Sequence, residues 1–93
     1  MRKDNDMKEL TLFYFDECPH CQNAFRWQEE IFAEHPEYRE VPLRLINEKT
    51  ESELAGSYDY WYVPTYYIGR TKLREGVTDK ALIEECFKTA YEA

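Results

Sequence analysis

The chain has 93 residues, a length that accommodates one domain with a modest hydrophobic core. It carries 19 acidic and 12 basic residues and has a net charge of −7, which disfavours binding to nucleic acids and to anionic membranes. We therefore expect no nucleic-acid partner and no membrane partner. Aromatic residues make up 16% of the chain, so the apolar area buried per residue can be large on average.

The N-terminal residues and the number of cysteines indicate the compartment in which we expect the protein. Residues 1–9 are largely charged and lack the apolar stretch of a signal peptide, and no run is long enough to span a membrane. The three cysteines form one close pair and one isolated residue, as expected of a functional dithiol in a reducing compartment. We expect a cytoplasmic monomer with a flexible leader over residues 1–8 and a single domain over residues 9–93. Met7 is an alternative start.

The first half of the chain predicts a strand, a helix and a second strand. Residues 10–15 form a continuous apolar run, typical of a strand buried on both faces in the centre of a sheet. A helical pattern follows over residues 19–34 and ends at His35, because the residue before a proline avoids the helical region. Residues 41–46 predict an edge strand, since Pro42 cannot donate to a strand ladder. Together these elements predict a right-handed parallel crossover.

The second half of the chain predicts a short helix, a hairpin and a last helix. The short helix spans residues 50–55, and the hairpin strands span residues 66–68 and 72–75 with a three-residue connection. The last helix begins after Thr78 or Asp79, which are residue types that commonly cap helices. Its predicted apolar face, in which we interpret the cysteine as a core residue, consists of Leu82, Ile83, Cys86, Phe87, Ala90 and Tyr91.

The segment Cys18-Pro19-His20-Cys21 lies at the junction of the first strand and the first helix. Two thiols separated by two residues at such a junction are typical of a dithiol redox site. The unpaired N–H groups and the positive end of a helix dipole favour a thiolate on Cys18, and Pro19 suits the first helical position. We interpret Cys18 as the nucleophile, Cys21 as the resolving thiol and His20 as a residue that tunes the redox potential.

Two other interpretations of these residues stay open. A C-x-x-C pair is also half of a zinc site, which normally has four protein ligands. The chain adds only Cys86, His20 and His35, without a second ligand pair at the spacing of a zinc finger, so we favour redox chemistry and predict no metal. The aromatic stretch over residues 58–67 is compatible with a non-catalytic binding module or with a groove for a substrate backbone.

The order β-α-β-α-β-β-α with C-P-x-C at the first strand–helix junction resembles the thioredoxin-like superfamily, and its small glutaredoxin-like branch in particular. Val63-Pro64-Thr65, which precedes a strand, is similar to the cis-proline loop of that family, and Gly76 matches the glycine after its last hairpin. The resemblance covers residues 9–92. It implies an α/β fold with a four-stranded mixed sheet, in the strand order second-first-third-fourth. The first and third helices cover one face and the second helix covers the other.

The resemblance also implies thiol–disulfide exchange at Cys18 and Cys21. The implied partners are disulfide-containing or glutathionylated proteins, with glutathione or a reductase as the source of electrons and no bound cofactor. The alternative is a glutaredoxin-like module that binds a metal or an iron–sulfur cluster between two protomers through Cys18. The implied substrate-binding residues are Tyr62, Val63, Pro64, Gly76 and Asp79.

Two positions differ from the pattern of the family. Thioredoxins usually carry a tryptophan immediately before the first cysteine, where this chain has Glu17. Glutaredoxins often carry a lysine that helps to bind glutathione shortly before the motif, where this chain has Asp16. The choice between glutathione and a reductase therefore stays open at this point.

Overall fold

The secondary structure follows the predicted order, β-α-β-α-β-β-α. The computed structural model describes residues 7–92 of the chain. A short 3-10 helix that the sequence analysis did not predict, Pro36–Glu40, begins with a proline and buries Tyr38. The strands are β1 (Leu10–Tyr14), β2 (Leu43–Asn47), β3 (Thr65–Ile68) and β4 (Thr71–Glu75), and the helices are α1 (Pro19–Glu34), α2 (Ser52–Gly56) and α3 (Lys80–Glu92).

The packed domain begins earlier in the chain than predicted. Met7 is buried in the hydrophobic core, and the backbone N–H of Lys8 donates to the carbonyl of Ala90 at 3.0 Å. Because both residues belong to the packed domain, the predicted flexible leader is wrong for its last two residues. The rest of that leader, residues 1–6, lies outside the described residues.

The four strands form one sheet in the predicted order, β2-β1-β3-β4. β1 pairs in parallel with β2 and antiparallel with β3, which in turn pairs antiparallel with β4. β2 begins at Leu43, two residues later than predicted, because Val41 closes the 3-10 helix and Pro42 has no N–H to donate. The order makes β1 a central strand, and the chain leaves it directly toward α1.

Hydrophobic clusters cover both faces of the sheet, and their composition confirms the predicted placement of the helices. α1 and α3 pack on one face, whereas α2 packs on the other through Ala55. Cys86 is buried in the cluster formed with α1 and α3, as predicted. The prediction for Leu82 is wrong, since its side chain is 38% exposed. Among residues 7–92, no helix combines the length and the apolar character needed to cross a membrane. The first cluster includes Leu10, Leu12, Ile31, Phe32, Tyr66, Ile83 and Phe87, and the second includes Phe13, Ile46 and Tyr67.

A buried polar contact fixes α1 on the sheet. Gln28 lies on the buried side of the helix, where its Oε1 accepts a hydrogen bond of 2.6 Å from the hydroxyl of Tyr66 on β3. The Tyr66 side chain is fully buried, so the bond satisfies two polar groups that would otherwise be costly to bury. The position of α1, which begins directly after Cys18 and contains Cys21, is therefore set by packing and by this directional bond.

We expect the substitution Gly76→Ala to lower the free energy of unfolding by about 1–2 kcal/mol, because a side chain in the left-handed region is strained. Gly76 has φ +82°, and an added Cβ would meet Tyr62 Cβ at 3.5 Å, an ordinary contact, so the backbone conformation accounts for the loss. Urea unfolding at equilibrium measures the change.

Gly56→Ala is the matched control for this prediction. Gly56 ends α2, and an added Cβ there would meet nothing within 4 Å. We expect the control to be neutral or to stabilise the protein by up to about 1 kcal/mol. Equal losses in the two variants would contradict the conformational explanation.

Candidate active site

Cys18 is the N-cap residue of α1, at the predicted junction of strand and helix. Its backbone is extended, with φ −77° and ψ 114°, so the chain turns into the helix immediately after it. The Sγ atom accepts a hydrogen bond of 3.2 Å from the backbone N–H of Cys21. This N–H is one of those left unpaired at a helix N-terminus, and its donation favours negative charge on the sulfur.

Cys21 lies in the first turn of α1 and is 1% exposed. Burial raises the pKa of its thiol to about 12, and a hydrogen bond to the Cys18 side chain and the charges of Cys18 and Glu48 act in the same direction. A backbone hydrogen bond at Phe15 opposes these effects only in part. Cys21 is therefore a thiol at neutral pH, and the two sulfurs have different environments although they lie close together.

The segment before β3 lies against Cys18. The Cys18 Sγ is 3.8 Å from the carbonyl oxygen of Val63, and the Val63–Pro64 peptide bond is cis. The backbone N–H of Gly76 donates to the Pro64 carbonyl at 2.9 Å, and the Thr65 hydroxyl donates to the carbonyl of Tyr62. These bonds tie the segment to the hairpin, so a main-chain acceptor faces the first thiol.

A groove of about 420 Å³ lies beside the dithiol. Four of the residues that line it were predicted as site residues, whereas Glu75 and Val77 were not. Asp79 lies outside the groove lining, and its carboxylate accepts the Leu82 N–H at 2.9 Å as the cap of α3. The Pro64 side chain is fully buried below the loop. The lining residues are His20, Tyr62, Val63, Glu75, Gly76 and Val77.

The aromatic stretch divides into buried and exposed rings. Tyr66 and Tyr67 are buried in the two clusters, whereas Trp61 is 85% exposed and Tyr62 is 71% exposed. Val77, which also lines the groove, is 62% exposed. Large exposed apolar side chains beside a groove are typical of a binding surface.

Glu75 is a site residue that sequence reasoning missed. Its carboxylate accepts the backbone N–H groups of Trp61 and Tyr62, and it pairs with Lys72 Nζ at 2.6 Å. The bond to Lys72 contributes most to lowering the pKa of Glu75 to about 2, and the two backbone donors add to the effect. The partners on the loop lie 13 and 14 residues earlier in the chain, so no local pattern could have indicated them.

The thiols are not part of a wider set of metal-ligating side chains among residues 7–92. Within that range the one group of three potential ligands is Glu34, His35 and Glu84, whose ligand atoms lie within 4.8 Å of one another. This group lies at the end of α1 opposite to Cys18, and Lys80 Nζ already contacts Glu34 at 2.6 Å.

The sequence matches no protein-family model, and a search of the curated proteins finds no match. Solved structures do match. An oxidised thioredoxin from Plasmodium falciparum has a TM-score of 0.65 and 19% identity over 94% of this chain and 88% of that chain. Thioredoxin O2 from Arabidopsis thaliana has a TM-score of 0.65 and 18% identity over 96% and 79%.

A mutant thioredoxin from Halobacterium salinarum has a TM-score of 0.65 and 21% identity, and the alignment covers 91% of this chain and 75% of that chain. All three likenesses fall below the identity at which a shared activity follows, so they bear on architecture. The chain therefore has a thioredoxin-like fold.

Proposed function

We propose that this protein is a thiol–disulfide oxidoreductase that exchanges the Cys18–Cys21 dithiol with disulfides in polypeptides. The observation that carries the proposal is the backbone N–H of Cys21, which donates to Cys18 Sγ at the N-terminus of α1. The groove that begins at His20 and Val63 supplies a place for the substrate beside that sulfur.

The reaction takes place in two displacements. The Cys18 thiolate attacks one sulfur of the substrate disulfide, a mixed disulfide forms, and the other substrate sulfur leaves as a thiolate. Cys21 then loses its proton and attacks Cys18 Sγ, and the electron pair of the mixed disulfide leaves with the second substrate sulfur. The substrate ends with the two electrons of the dithiol and takes up two protons, one released by Cys21 and one from solvent, and the protein ends with a Cys18–Cys21 disulfide.

The high pKa of Cys21 suits this order of events. Two of its causes, the hydrogen bond to Cys18 and the charge of Cys18, disappear when Cys18 is covalently attached to a substrate. Burial and the charge of Glu48 remain and still oppose ionisation, so loss of the two other causes lowers the pKa of Cys21 from its value in the resting protein. Cys21 is thus held as a thiol in the resting protein and becomes easier to ionise in the mixed disulfide.

The charges of the groove favour a polypeptide disulfide over a glutathione mixed disulfide. Among the described residues that line the groove, none is lysine or arginine, whereas Glu75 is ionised. Glutathione carries two carboxylates and would find no lysine or arginine partner in this lining. We accordingly favour a reductase over glutathione as the source of electrons. The cytoplasmic location and the monomeric state stay predictions.

Binding of a metal or an iron–sulfur cluster through Cys18 stays an alternative prediction. Among residues 7–92, no third potential ligand joins Cys18 and Cys21, so such a site would need ligands from a second protomer or from a small molecule. The metal content and the visible absorbance of freshly purified protein distinguish this alternative from a dithiol enzyme.

We expect the substitution Cys18→Ser to abolish exchange with insulin disulfides, and Cys21→Ser to accumulate a mixed disulfide with the substrate. The first variant lacks the attacking sulfur, and the second lacks the sulfur that releases the product. The measurement is a single turnover of prereduced protein, followed by intact mass. Cys86→Ala is the control and should retain exchange, because Cys86 is a core residue. Exchange by Cys18→Ser, or no trapped adduct in Cys21→Ser, would sink the proposal.

In the reduced wild-type protein at pH 8, we expect iodoacetamide to modify Cys18 first and to leave Cys21 and Cys86 almost unmodified. Burial raises the pKa of both of these thiols to about 12, so only about one molecule in 10,000 carries either thiolate at pH 8. Peptide mapping by mass spectrometry gives the initial rate at each site. Equal labelling of Cys18 and Cys21 at pH 8 would contradict the asymmetry.

We expect His20→Ala to lower the reduction potential of the dithiol by on the order of 30 mV, which corresponds to about 1.4 kcal/mol for two electrons. His20 lies between the two cysteines in sequence, and its exposed imidazole lines the groove, where a ring N–H can donate a hydrogen bond that stabilises the reduced form. His35→Ala, at the far end of α1, is the matched control. Equilibration against glutathione redox buffers measures both variants. Coincident curves for wild type and His20→Ala would mean that the helix terminus alone tunes the potential.

A further inference from the structure

We propose that Glu75 is a positioning residue, which holds the Trp61–Tyr62 segment, fixes Tyr62 in the lining of the groove and thereby sets the affinity for polypeptide disulfides. The inference rests on the proposed function and adds a determinant of specificity to it. Glu75 does not touch either reacting sulfur in this arrangement. It acts through the segment that a polypeptide substrate would contact.

The Trp61–Tyr62 segment has little else to hold it in place. Residues 61–64 form a series of bends outside the strands and helices. Both rings are mostly exposed, so apolar burial contributes little to fixing them. The two successive N–H groups at the tip instead donate to one acceptor, the Glu75 carboxylate.

Glu75 is itself rigidly placed. It is the last residue of β4 and pairs with Thr65 in the ladder between β3 and β4. One carboxylate oxygen accepts both loop N–H groups, and the other pairs with Lys72 Nζ, so the carboxylate has partners on both sides. Hydrogen bonds to a charged acceptor are about twice as strong as neutral ones.

The residues that follow the Trp61–Tyr62 segment are also hydrogen-bonded to the end of β4. The Gly76 N–H donates to the Pro64 carbonyl, and Gly76 follows Glu75 directly in sequence. Tyr62 and Val63 therefore lie between two hydrogen-bonded contacts with the end of β4, one at Glu75 and one at Gly76. Val63 also faces Cys18, so any loosening at Glu75 would move the groove wall relative to the sulfur.

This arrangement predicts an effect that depends on the size of the substrate. A small disulfide needs to reach only Cys18, whereas a polypeptide would also contact the exposed rings of Trp61 and Tyr62. Loss of the hydrogen bonds from Trp61 and Tyr62 to Glu75 should therefore weaken binding of the large substrate and leave the chemical step unchanged. Because the pKa of Glu75 is lowered to about 2, the carboxylate keeps its charge throughout the pH range of such assays.

The test compares Glu75→Gln with the matched control Glu53→Gln, an exposed position in α2. Prereduced protein is mixed with insulin or with bis(2-hydroxyethyl) disulfide in single turnovers. We expect Glu75→Gln to raise the half-saturating insulin concentration about tenfold, since the amide cannot accept from all three donors. The maximal rate with insulin and the rate with the small disulfide should stay within about twofold of wild type. The reduction potential should be unchanged. The control should match wild type in every measurement.

A second variant separates positioning from direct contact with the substrate. Tyr62→Ala removes an exposed ring and should raise the same insulin concentration without affecting folding. Glu75→Gln added to Tyr62→Ala should have little further effect, because the two act through one segment. Fluorescence anisotropy of Trp61 in a Trp27→Phe background should fall in Glu75→Gln, as the tip gains mobility.

The outcomes are distinguishable. If wild type fails to exchange with the small disulfide, the proposed function is wrong. If wild type exchanges but Glu75→Gln and wild type need the same insulin concentration, Glu75 has no positioning role. Equal losses with both disulfides would show a general structural defect and would also overturn the inference. Should Glu75→Gln not fold, an unchanged insulin concentration in Tyr62→Ala overturns it, because the segment then contributes no binding.

Discussion

The hydrogen bond from the Cys21 backbone N–H to Cys18 Sγ is the contact on which the proposed chemistry depends. It forms because Cys18 is the extended residue immediately before α1, whose first turn contains Cys21. The position of α1 depends in turn on Gln28, which lies ten residues after Cys18. Its side chain accepts a hydrogen bond from the buried hydroxyl of Tyr66. A packing contact in the core and a donor at the active site are therefore parts of one rigid helix.

The same helix terminus gives the two sulfurs different surroundings. Cys18 Sγ has a donor at 3.2 Å and the Val63 carbonyl at 3.8 Å, and the shorter contact with the N–H is the stronger one. Cys21 lies three residues later in the first turn of α1, where burial and the hydrogen bond to Cys18 raise the pKa of its thiol. Both side chains are buried, so the two sulfurs differ in their hydrogen bonds and charges within a single turn of helix.

Local patterns predicted the elements better than the contacts between distant residues. Periodicity predicted the bounds of α1 and the central position of β1. The juxtaposition of the redox pair with Val63, 45 residues away from Cys18, was implied by the resemblance to the thioredoxin-like superfamily. The Glu75 contacts, the Gln28–Tyr66 bond and the packing of Met7 could not be predicted, since each joins residues that are distant in the chain. Polar side chains that bond a distant backbone leave no periodic signal. The sequence pattern likewise placed Leu82 in the core, but the first turn of α3 turns it outward.

The aromatic stretch before β3 shows how a stable core can coexist with exposed rings. Its start is anchored by Tyr58, whose ring packs at 4.7 Å from that of Phe13, and its end is anchored by Tyr67, at 5.6 Å from the same ring. Between these anchors Tyr60 also packs on Phe13 at 4.8 Å and Val63 lies against the second cluster, whereas the exposed rings of Trp61 and Tyr62 gain little from apolar packing. A charged acceptor at the end of β4 satisfies their N–H groups without covering their rings. The exposed apolar area beside Cys18 is thus maintained by a polar contact, which leaves that area available to a substrate.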